Sequence, residues 1–190
     1  MCTPKTRRIN GEQRTMTDFV NTTTYRSLAN TPAATQLDYY TRNNASPEIL
    51  KLVSLSNKAF GEQYMQGIAR DLFGLDNPEH TGHDMQLHGK KIEMKSARWG
   101  CTGMFKWQHI MPGHAYDYVL FALVDFQDIK FWLISKETIL QYPTLFTRQG
   151  GAEGQGLWTP GLNSRNMTRV TDLCVPIHSR EDLLRAISAQ

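Results

Sequence analysis

Apolar and polar residues alternate on both sides of a single glycine, Gly89, between residues 84 and 95. Alternation with a period of two is typical of a strand with one buried face, and glycine supplies the positive φ that a two-residue turn needs. The pattern predicts a β-hairpin with His88 and Gly89 at its turn. In this register Met85 faces Ile92 across the two strands.

The predicted hairpin brings three charged side chains together. Asp84 lies opposite Glu93, and opposed residues have Cβ atoms about 5 Å apart. Because side chains alternate along a strand, Glu93 and Lys95 project from the face opposite to Ile92, which we assign to the core. Two carboxylates opposed in this way repel each other, so the arrangement calls for a cation.

These charges suit a site for a hard divalent ion. Mg²⁺ prefers oxygen ligands from one or two carboxylates, completed by water and substrate phosphate. Asp84 and Glu93 therefore predict a Mg²⁺ site, with Mn²⁺ as a substitute. Lys95 beside the ion would orient or deprotonate an attacking water, or neutralise charge on a phosphate. The plain alternative is an exposed hairpin with ordinary surface charges.

The remainder of the chain predicts an α/β fold in one domain, residues 46–190. Ser46 and Pro47 form a helix start signal, and a helix or helix pair runs from there to about Gly74. The other predicted elements are strands at 116–124, apolar enough to be central, and 130–135, a strand or short helix at 104–110, a short helix at 135–142, a polar loop at 149–167 and a final helix capped by Ser179.

The helix before Gly74 carries Glu62 at the border of its apolar face. That face has the 3.6-residue spacing of Tyr64, Met65, Ile68, Ala69, Leu72 and Phe73. On a helical wheel that starts at Tyr64, Glu62 falls at about 160°. Burial of this carboxylate would require a positive partner, such as a metal ion or Lys95. The alternative is that Glu62 reaches solvent or pairs with Lys58.

Composition excludes several classes of protein. The chain of 190 residues is 40% hydrophobic and 21% charged, which suits one ordinary core. Its longest apolar stretch, residues 118–124, is far shorter than the roughly 20 residues that span a bilayer, and no secretory signal is visible. Three widely separated cysteines favour reduced thiols. We expect a cytoplasmic protein without a membrane partner.

Net charge is concentrated in residues 1–45. This segment holds six Lys or Arg against three Asp or Glu, a net charge of +3, while the remainder has fifteen of each. It is rich in Thr and Asn and lacks a sustained helical period. We assign residues 1–45 to a basic polar arm that is partly disordered, orders against a polyanion, or only solvates the domain.

Basic residues also gather around the predicted site, with Glu93 as the acid among them. A surface of this charge suits the phosphates of a nucleic acid. The cluster consists of Lys90, Lys91, Lys95, Arg98 and Lys106.

Other side chains near the hairpin allow two interpretations. Three histidines raise the question of a zinc site, but no cysteine joins them and His88 lies in the turn, so a solvated cluster is favoured. Three aromatic residues would stack on bases or belong to the core. These residues are His80, His83 and His88, and Trp99, Trp107 and Tyr116.

The sequence around the hairpin resembles the PD-(D/E)XK nuclease superfamily, whose best-known members are type II restriction endonucleases. His83 stands where the family's name has proline. The resemblance covers roughly residues 50 to 180, the size of one domain. It implies a restriction endonuclease-like central mixed β-sheet flanked by α-helices. The matching residues are Asp84, Ile92, Glu93-Met94-Lys95 and Ser96-Ala97-Arg98-Trp99.

Two further segments extend this resemblance. Gly61-Glu62-Gln63-Tyr64 looks like the helix that carries an extra active-site glutamate in some members, which implies that Glu62 binds a second ion or holds Lys95. Trp107-Gln108-His109-Ile110 is similar to a later segment of small restriction-type nucleases. There a glutamine assists the site or contacts the scissile strand, which implies the same role for Gln108.

We therefore expect a Mg²⁺-dependent endonuclease acting on double-stranded DNA, in the first place a type II restriction endonuclease or the cleavage subunit of a larger enzyme. Cutting both strands of a palindrome favours a two-fold homodimer. The alternatives are a repair, junction-resolving or phage nuclease that uses the same residues, a DNA-binding module with an inactive site, and an unrelated structural domain.

Overall fold

The computed structural model describes residues 35–79, 81–149 and 156–189 of the 190-residue chain. Over these ranges a five-stranded mixed sheet is flanked by helices, which confirms the α/β class. In the same ranges we find no helix with the length and apolar character needed to cross a membrane. Residues 1–34 of the predicted arm lie outside the described residues.

Short strands and short helices make up the fold. The strands are β1 (Met85–Leu87), β2 (Lys90–Arg98), β3 (Tyr118–Val124), β4 (Ile129–Ser135), β5 (Thr147–Arg148), β6 (Leu157–Trp158) and β7 (Val175–Ile177). The helices are α1 (Gln36–Arg42), α2 (Pro47–Val53), a π-helix (Ala59–Met65), α3 (Gln66–Phe73), α4 (Lys136–Gln141), α5 (Thr168–Thr171) and α6 (Arg180–Ser188).

Strand β3 lies at the centre of the sheet, whose order is β1-β2-β3-β4-β7. All seven of its residues are buried, as its uninterrupted apolar sequence predicts. It pairs in parallel with β2 and antiparallel with β4, and the other neighbours in the sheet are antiparallel. Strands β5 and β6 form a separate two-stranded ribbon.

The predicted helix boundaries are confirmed where a capping side chain marks them. Ser46 accepts a hydrogen bond from the N–H of Ile49 and begins α2, with proline at the first helical position. Gly74 ends α3 in the left-handed conformation, with φ 57°. Ser135 and Ser179 cap α4 and α6 in the same way as Ser46.

The buried stripe of the helix before Gly74 is narrower than predicted. Met65, Ala69 and Phe73 are buried, but Tyr64 is 49% exposed and Leu72 is 58% exposed. The first part of this helix is a π-helix, in which hydrogen bonds run from i to i+5. A wheel drawn at 3.6 residues per turn therefore misplaces residues along it.

A compact unit begins at Thr35, within the segment assigned to the arm. Tyr40 of α1 is fully buried, and its hydroxyl donates a hydrogen bond to the carbonyl of Val124 at the end of β3. The same hydroxyl accepts a hydrogen bond from the N–H of Trp99 at 3.0 Å. Helix α1 is thus tied to the ends of both β2 and β3.

Tyr40→Phe should lower the free energy of unfolding by about 1–3 kcal/mol, because the buried N–H of Trp99 loses its acceptor. Urea denaturation measures this change. Tyr39→Phe is the matched control, since the Tyr39 hydroxyl has no hydrogen bond to the described residues and its loss should cost less than about 0.5 kcal/mol. Equal losses in both variants would contradict this role of Tyr40.

Candidate active site beside the hairpin

The hairpin has the register that the alternation predicts. Met85 pairs with Ile92 across β1 and β2. His88 and Gly89 form the turn with φ of 49° and 76°. Positive φ at both central residues is the requirement of a type I′ turn, which matches the twist of the strands it joins.

Asp84 is fixed against β2 by two hydrogen bonds. Its N–H donates to the carbonyl of Ile92 at 3.1 Å, and its Oδ2 accepts from the N–H of Met94 at 2.8 Å. These partners flank Glu93 in the sequence. Asp84 therefore lies opposite Glu93, as predicted.

Glu93 and Lys95 form an ion pair on one face of β2. The Nζ of Lys95 lies 2.6 Å from Oε1 of Glu93, and the Glu93 side chain is only 6% exposed. Burial raises the pKa of Glu93, the charge of Lys95 opposes that rise, and the negative charge of Asp84 adds to it. The three predicted charges do meet, and the single lysine only partly compensates the two carboxylates.

A cleft of about 750 Å³ opens beside these charges. Glu93 does not line the cleft, but its ion-pair partner Lys95 does. The cleft has three walls, formed by the hairpin, by the helices before Gly74 and by the loop after β2. Their polar side chains are Asp84, Lys95 and Ser96 on the hairpin wall, Glu62 and Gln66 on the helix wall, and Lys106, Gln108 and His109 on the loop wall.

Glu62 reaches the cleft from the π-helix. The helix packs close to β2, since a Cβ at Gly61 would lie 3.7 Å from Oγ of Ser96. Glu62 is exposed rather than at a buried border, so the alternative of a solvent-facing carboxylate is the correct one. Within the described residues it makes no ion pair, either with Lys58 or with Lys95.

Arg98 lines the cleft but has a structural role. Its guanidinium donates hydrogen bonds to the carbonyls of Val53 and Leu55 at 2.9 and 3.0 Å and to Oδ1 of Asn57 at 2.6 Å. It also lies 4.1 Å from the ring centre of Phe60. Burial lowers the pKa of Arg98. Its donors complete the end of α2, so the other basic residues are better placed to contact a phosphate.

The remaining basic residues of the predicted cluster divide into two sets. Lys106 lines the cleft, with its Nζ 3.9 Å from the ring centre of Trp158. Lys90 is exposed and Lys91 is half-buried at the turn end of β2, and neither lines the cleft. Of the two sets, only Lys106 could therefore contact a phosphate inside the cleft.

Gln108 and His109 project into the cleft from an irregular segment. Residues 104–110 form neither the strand nor the helix expected, and only Phe105 and Ile110 make isolated bridges. Sequence reasoning identified Gln108 but missed His109, whose signal was its position directly after that glutamine. The left-handed backbone of His109, with φ 58°, has no signature in the sequence.

Of the three histidines, the two that the structure describes differ in their surroundings, and the favoured interpretation of a solvated cluster is wrong for His83. His83 is buried, and neither ring nitrogen has a hydrogen-bond partner among the described residues. His88 is exposed in the turn, and His80 lies outside the described residues. Over residues 35–79, 81–149 and 156–189 we find no group of three or more His, Cys, Asp or Glu that could hold a metal ion.

The predicted stacking aromatics belong to the core. Trp107 is fully buried and donates from Nε1 to the carbonyl of Ala122 at 2.8 Å. Trp99 and Tyr116 are 6% and 4% exposed. None of the three offers a free ring face of the kind that a base would stack on.

The donor set of the hairpin fits Mg²⁺. Asp84 accepts the N–H of Met94 with Oδ2, and Glu93 accepts a hydrogen bond from Lys95 with Oε1. Within the described structure the other oxygen of each carboxylate, Oδ1 of Asp84 and Oε2 of Glu93, accepts no hydrogen bond. Mg²⁺ is commonly bound by one or two carboxylates, with water and substrate phosphate as the other ligands. Two carboxylates therefore suffice without a third protein ligand.

Comparison with known proteins assigns no family: no family model matches the chain, and no curated protein matches it. The proposed function therefore rests on the geometry of the cleft.

Glu93→Gln should change how stability depends on pH. Because folding raises the Glu93 pKa, the folded chain holds this proton more tightly than the unfolded chain. This stabilisation is present below the ordinary pKa of 4.5 and is lost as the pH rises through the raised value. Relative to Glu93→Gln, the wild type should lose stability over that interval, measured by urea denaturation from about pH 4 to pH 7.

Glu79→Gln serves as the control for this measurement, because Glu79 is exposed. The change with pH in the stability difference from the wild type should be larger for Glu93→Gln than for this control. If the stability difference between the wild type and Glu93→Gln changed with pH no more than that of the control, folding would not raise the Glu93 pKa.

Proposed function

We propose that the chain is a Mg²⁺-dependent endonuclease that hydrolyses phosphodiester bonds of double-stranded DNA in this cleft. The observation that carries the proposal is the juxtaposition of two carboxylates and an amine on one hairpin. Asp84 is held opposite Glu93, and Lys95 lies 2.6 Å from Glu93 at the edge of an open cleft. The resemblance to the PD-(D/E)XK nucleases agrees with these roles.

Asp84 and Glu93 would hold Mg²⁺ through the oxygens that have no hydrogen bond within the described structure. When bound, the ion polarises a phosphate and lowers the pKa of a water ligand. Lys95, kept in place by Glu93, orients the attacking water and stabilises negative charge on the phosphate. The ion pair thus fixes the amine before substrate arrives, which removes part of the entropic cost of orientation.

The other two walls of the cleft supply further contacts to the substrate. Glu62 offers an exposed carboxylate from the π-helix, suited to a second ion or to Lys95. Gln108 offers an amide from the loop wall, suited to the scissile strand. A π-helix is often found at functional sites, where it redirects a side chain.

Basic residues outside the cleft lining support a nucleic acid as the substrate. Lys90 and Lys91 lie at the turn end of β2, and residues 1–34 hold all of the net charge of +3. We propose a restriction enzyme or its cleavage subunit, acting as a homodimer or with a second subunit. A repair or phage nuclease is the alternative, and discrete rather than structure-dependent products distinguish the two.

Asp84→Asn and Lys95→Ala should each slow the cleavage of plasmid DNA at least about 100-fold, because each removes a group that acts on the phosphate or on the water. Wild-type cleavage should require Mg²⁺ and stop in EDTA. Agarose gels and sequencing of the product ends measure this. Asparagine retains an acceptor for the N–H of Met94. The loss of cleavage activity in Asp84→Asn is therefore caused by the loss of the negative charge.

Asp71→Asn and Lys51→Ala are the matched controls, since both residues are exposed and lie outside the cleft lining. Both controls should cut at the wild-type rate. Circular dichroism verifies folding, above all for Lys95→Ala, which leaves Glu93 without its cation. Full activity in a folded Asp84→Asn or Lys95→Ala variant would refute the proposed roles.

Binding of DNA should weaken steeply with salt, and the doubly substituted Lys90→Ala, Lys91→Ala variant should flatten that dependence. Loss of two phosphate contacts lowers the slope of log K against log salt by about 2. Removal of residues 1–34 should flatten it further if these residues contact phosphates. This boundary keeps Tyr40 in the core. Fluorescence anisotropy in EDTA measures the slopes, and an unchanged slope in both variants would place the contacts elsewhere.

A further inference from the structure

His109 occupies a backbone conformation that favours glycine. Its φ is 58°, in the left-handed region that non-glycine residues rarely adopt. The other non-glycine residues with positive φ in the described structure are Asn44, of the residue type most tolerant of this region, and His88 in the hairpin turn. Unlike His88, His109 lines the cleft.

This conformation directs two consecutive side chains into the cleft. Trp107 and Ile110 are both fully buried, although residues three apart in a regular strand point to opposite faces. The left-handed residue between them breaks the alternation, as in a β-bulge. Gln108 and His109 are consequently both exposed and both line the cleft.

Strong contacts on both sides hold the segment in place. The Trp107 ring stacks on Phe121 of β3 with 4.4 Å between ring centres. Ile110 exchanges two backbone hydrogen bonds with Leu157 of β6, at 3.0 and 2.7 Å. The cost of the left-handed backbone at His109 is thus offset by its neighbours. A left-handed residue that its neighbours hold in place is a feature found often at active sites.

We propose that His109 is the general acid that protonates the leaving oxygen during phosphodiester hydrolysis. This role rests on the proposed nuclease function. In an in-line displacement the leaving oxygen lies opposite the attacking water, so its proton comes from a wall other than the one that holds the water. Asp84 and Lys95 belong to the hairpin wall, and His109 belongs to the loop wall.

Histidine suits this role because its unperturbed pKa is about 6.5, close to neutral pH. The Lys106 ammonium on the same wall lies over the ring of Trp158. The charged groups lining the cleft around His109 are Glu62, Asp84, Lys95, Arg98 and Lys106.

In the proposed step one bond to phosphorus forms and another breaks. The water oxygen bonds to phosphorus, and the bond between phosphorus and the leaving sugar oxygen breaks. The electron pair of that bond stays on the leaving oxygen, which takes the proton of the His109 imidazolium. The proton of the attacking water passes to solvent, and the neutral imidazole regains its proton from solvent.

His109→Gly and His109→Asn test this role, because glycine and asparagine both accept a positive φ. Each variant should fold as the wild type does and cut plasmid DNA at least about 100-fold more slowly with Mg²⁺. Wild-type cleavage should fall as the pH rises through the histidine pKa, and both variants should lack that fall. Added imidazole should restore cleavage to His109→Gly. His88→Gly, which has the same backbone geometry outside the cleft, should cut at the wild-type rate.

Wild-type rates in the folded His109 variants would overturn this role and leave the proposed function intact. Slow cleavage with an unchanged shape of the pH profile and no rescue by imidazole would also overturn it, because a merely structural histidine gives that result. A wild-type chain that cuts no DNA with Mg²⁺ would overturn the proposed function and the role of His109 together.

Discussion

The arrangement of charges around the cleft depends on the burial of the Glu93 carboxylate, which needs a positive partner. Taking a charge out of water costs several kcal/mol unless a partner compensates it. Lys95 provides one hydrogen bond at 2.6 Å, but Asp84 adds a second negative charge across the strand pair. The hairpin tolerates this cost because the fully buried β3 anchors β2 in the sheet. Such an unbalanced pair of acids is stabilised by any cation that reaches it.

Departures from local structural rules converge on the same cleft. The buried Glu93 carboxylate pairs with Lys95 of one wall, a second wall is built on a π-helix, and the third contains a left-handed histidine. Each departure carries a cost that ordinary packing does not require. Proteins retain such costs mainly at functional sites, where a side chain must point against its preference. Their coincidence around one cleft marks it more clearly than any of them does alone.

The parts of the fold that follow from neighbouring residues could be predicted from the sequence. Alternation around Gly89 gave the register of the hairpin, an apolar run gave the central strand, and a serine marked the start of each capped helix. The position of Glu62 could not be predicted, because a π-helix changes the number of residues per turn without a compositional signal. Strand β7 has only three residues and includes Pro176, so it has no readable period.

The partners of Arg98 were beyond prediction for a different reason. Its guanidinium donates to the carbonyls of Val53, at the end of α2, and Leu55, just beyond it. Both lie more than forty residues earlier in the chain, so only the tertiary fold creates these contacts. This engagement also bears on how the cleft treats a polyanion. Acids that hold a cation repel phosphate until the cation is bound, and with Arg98 committed to α2 the cleft retains Lys95 and Lys106 against Glu62 and Asp84. Affinity for DNA, on our proposal, must therefore come mainly from basic residues outside the cleft, which leaves the acids inside it free for the chemistry.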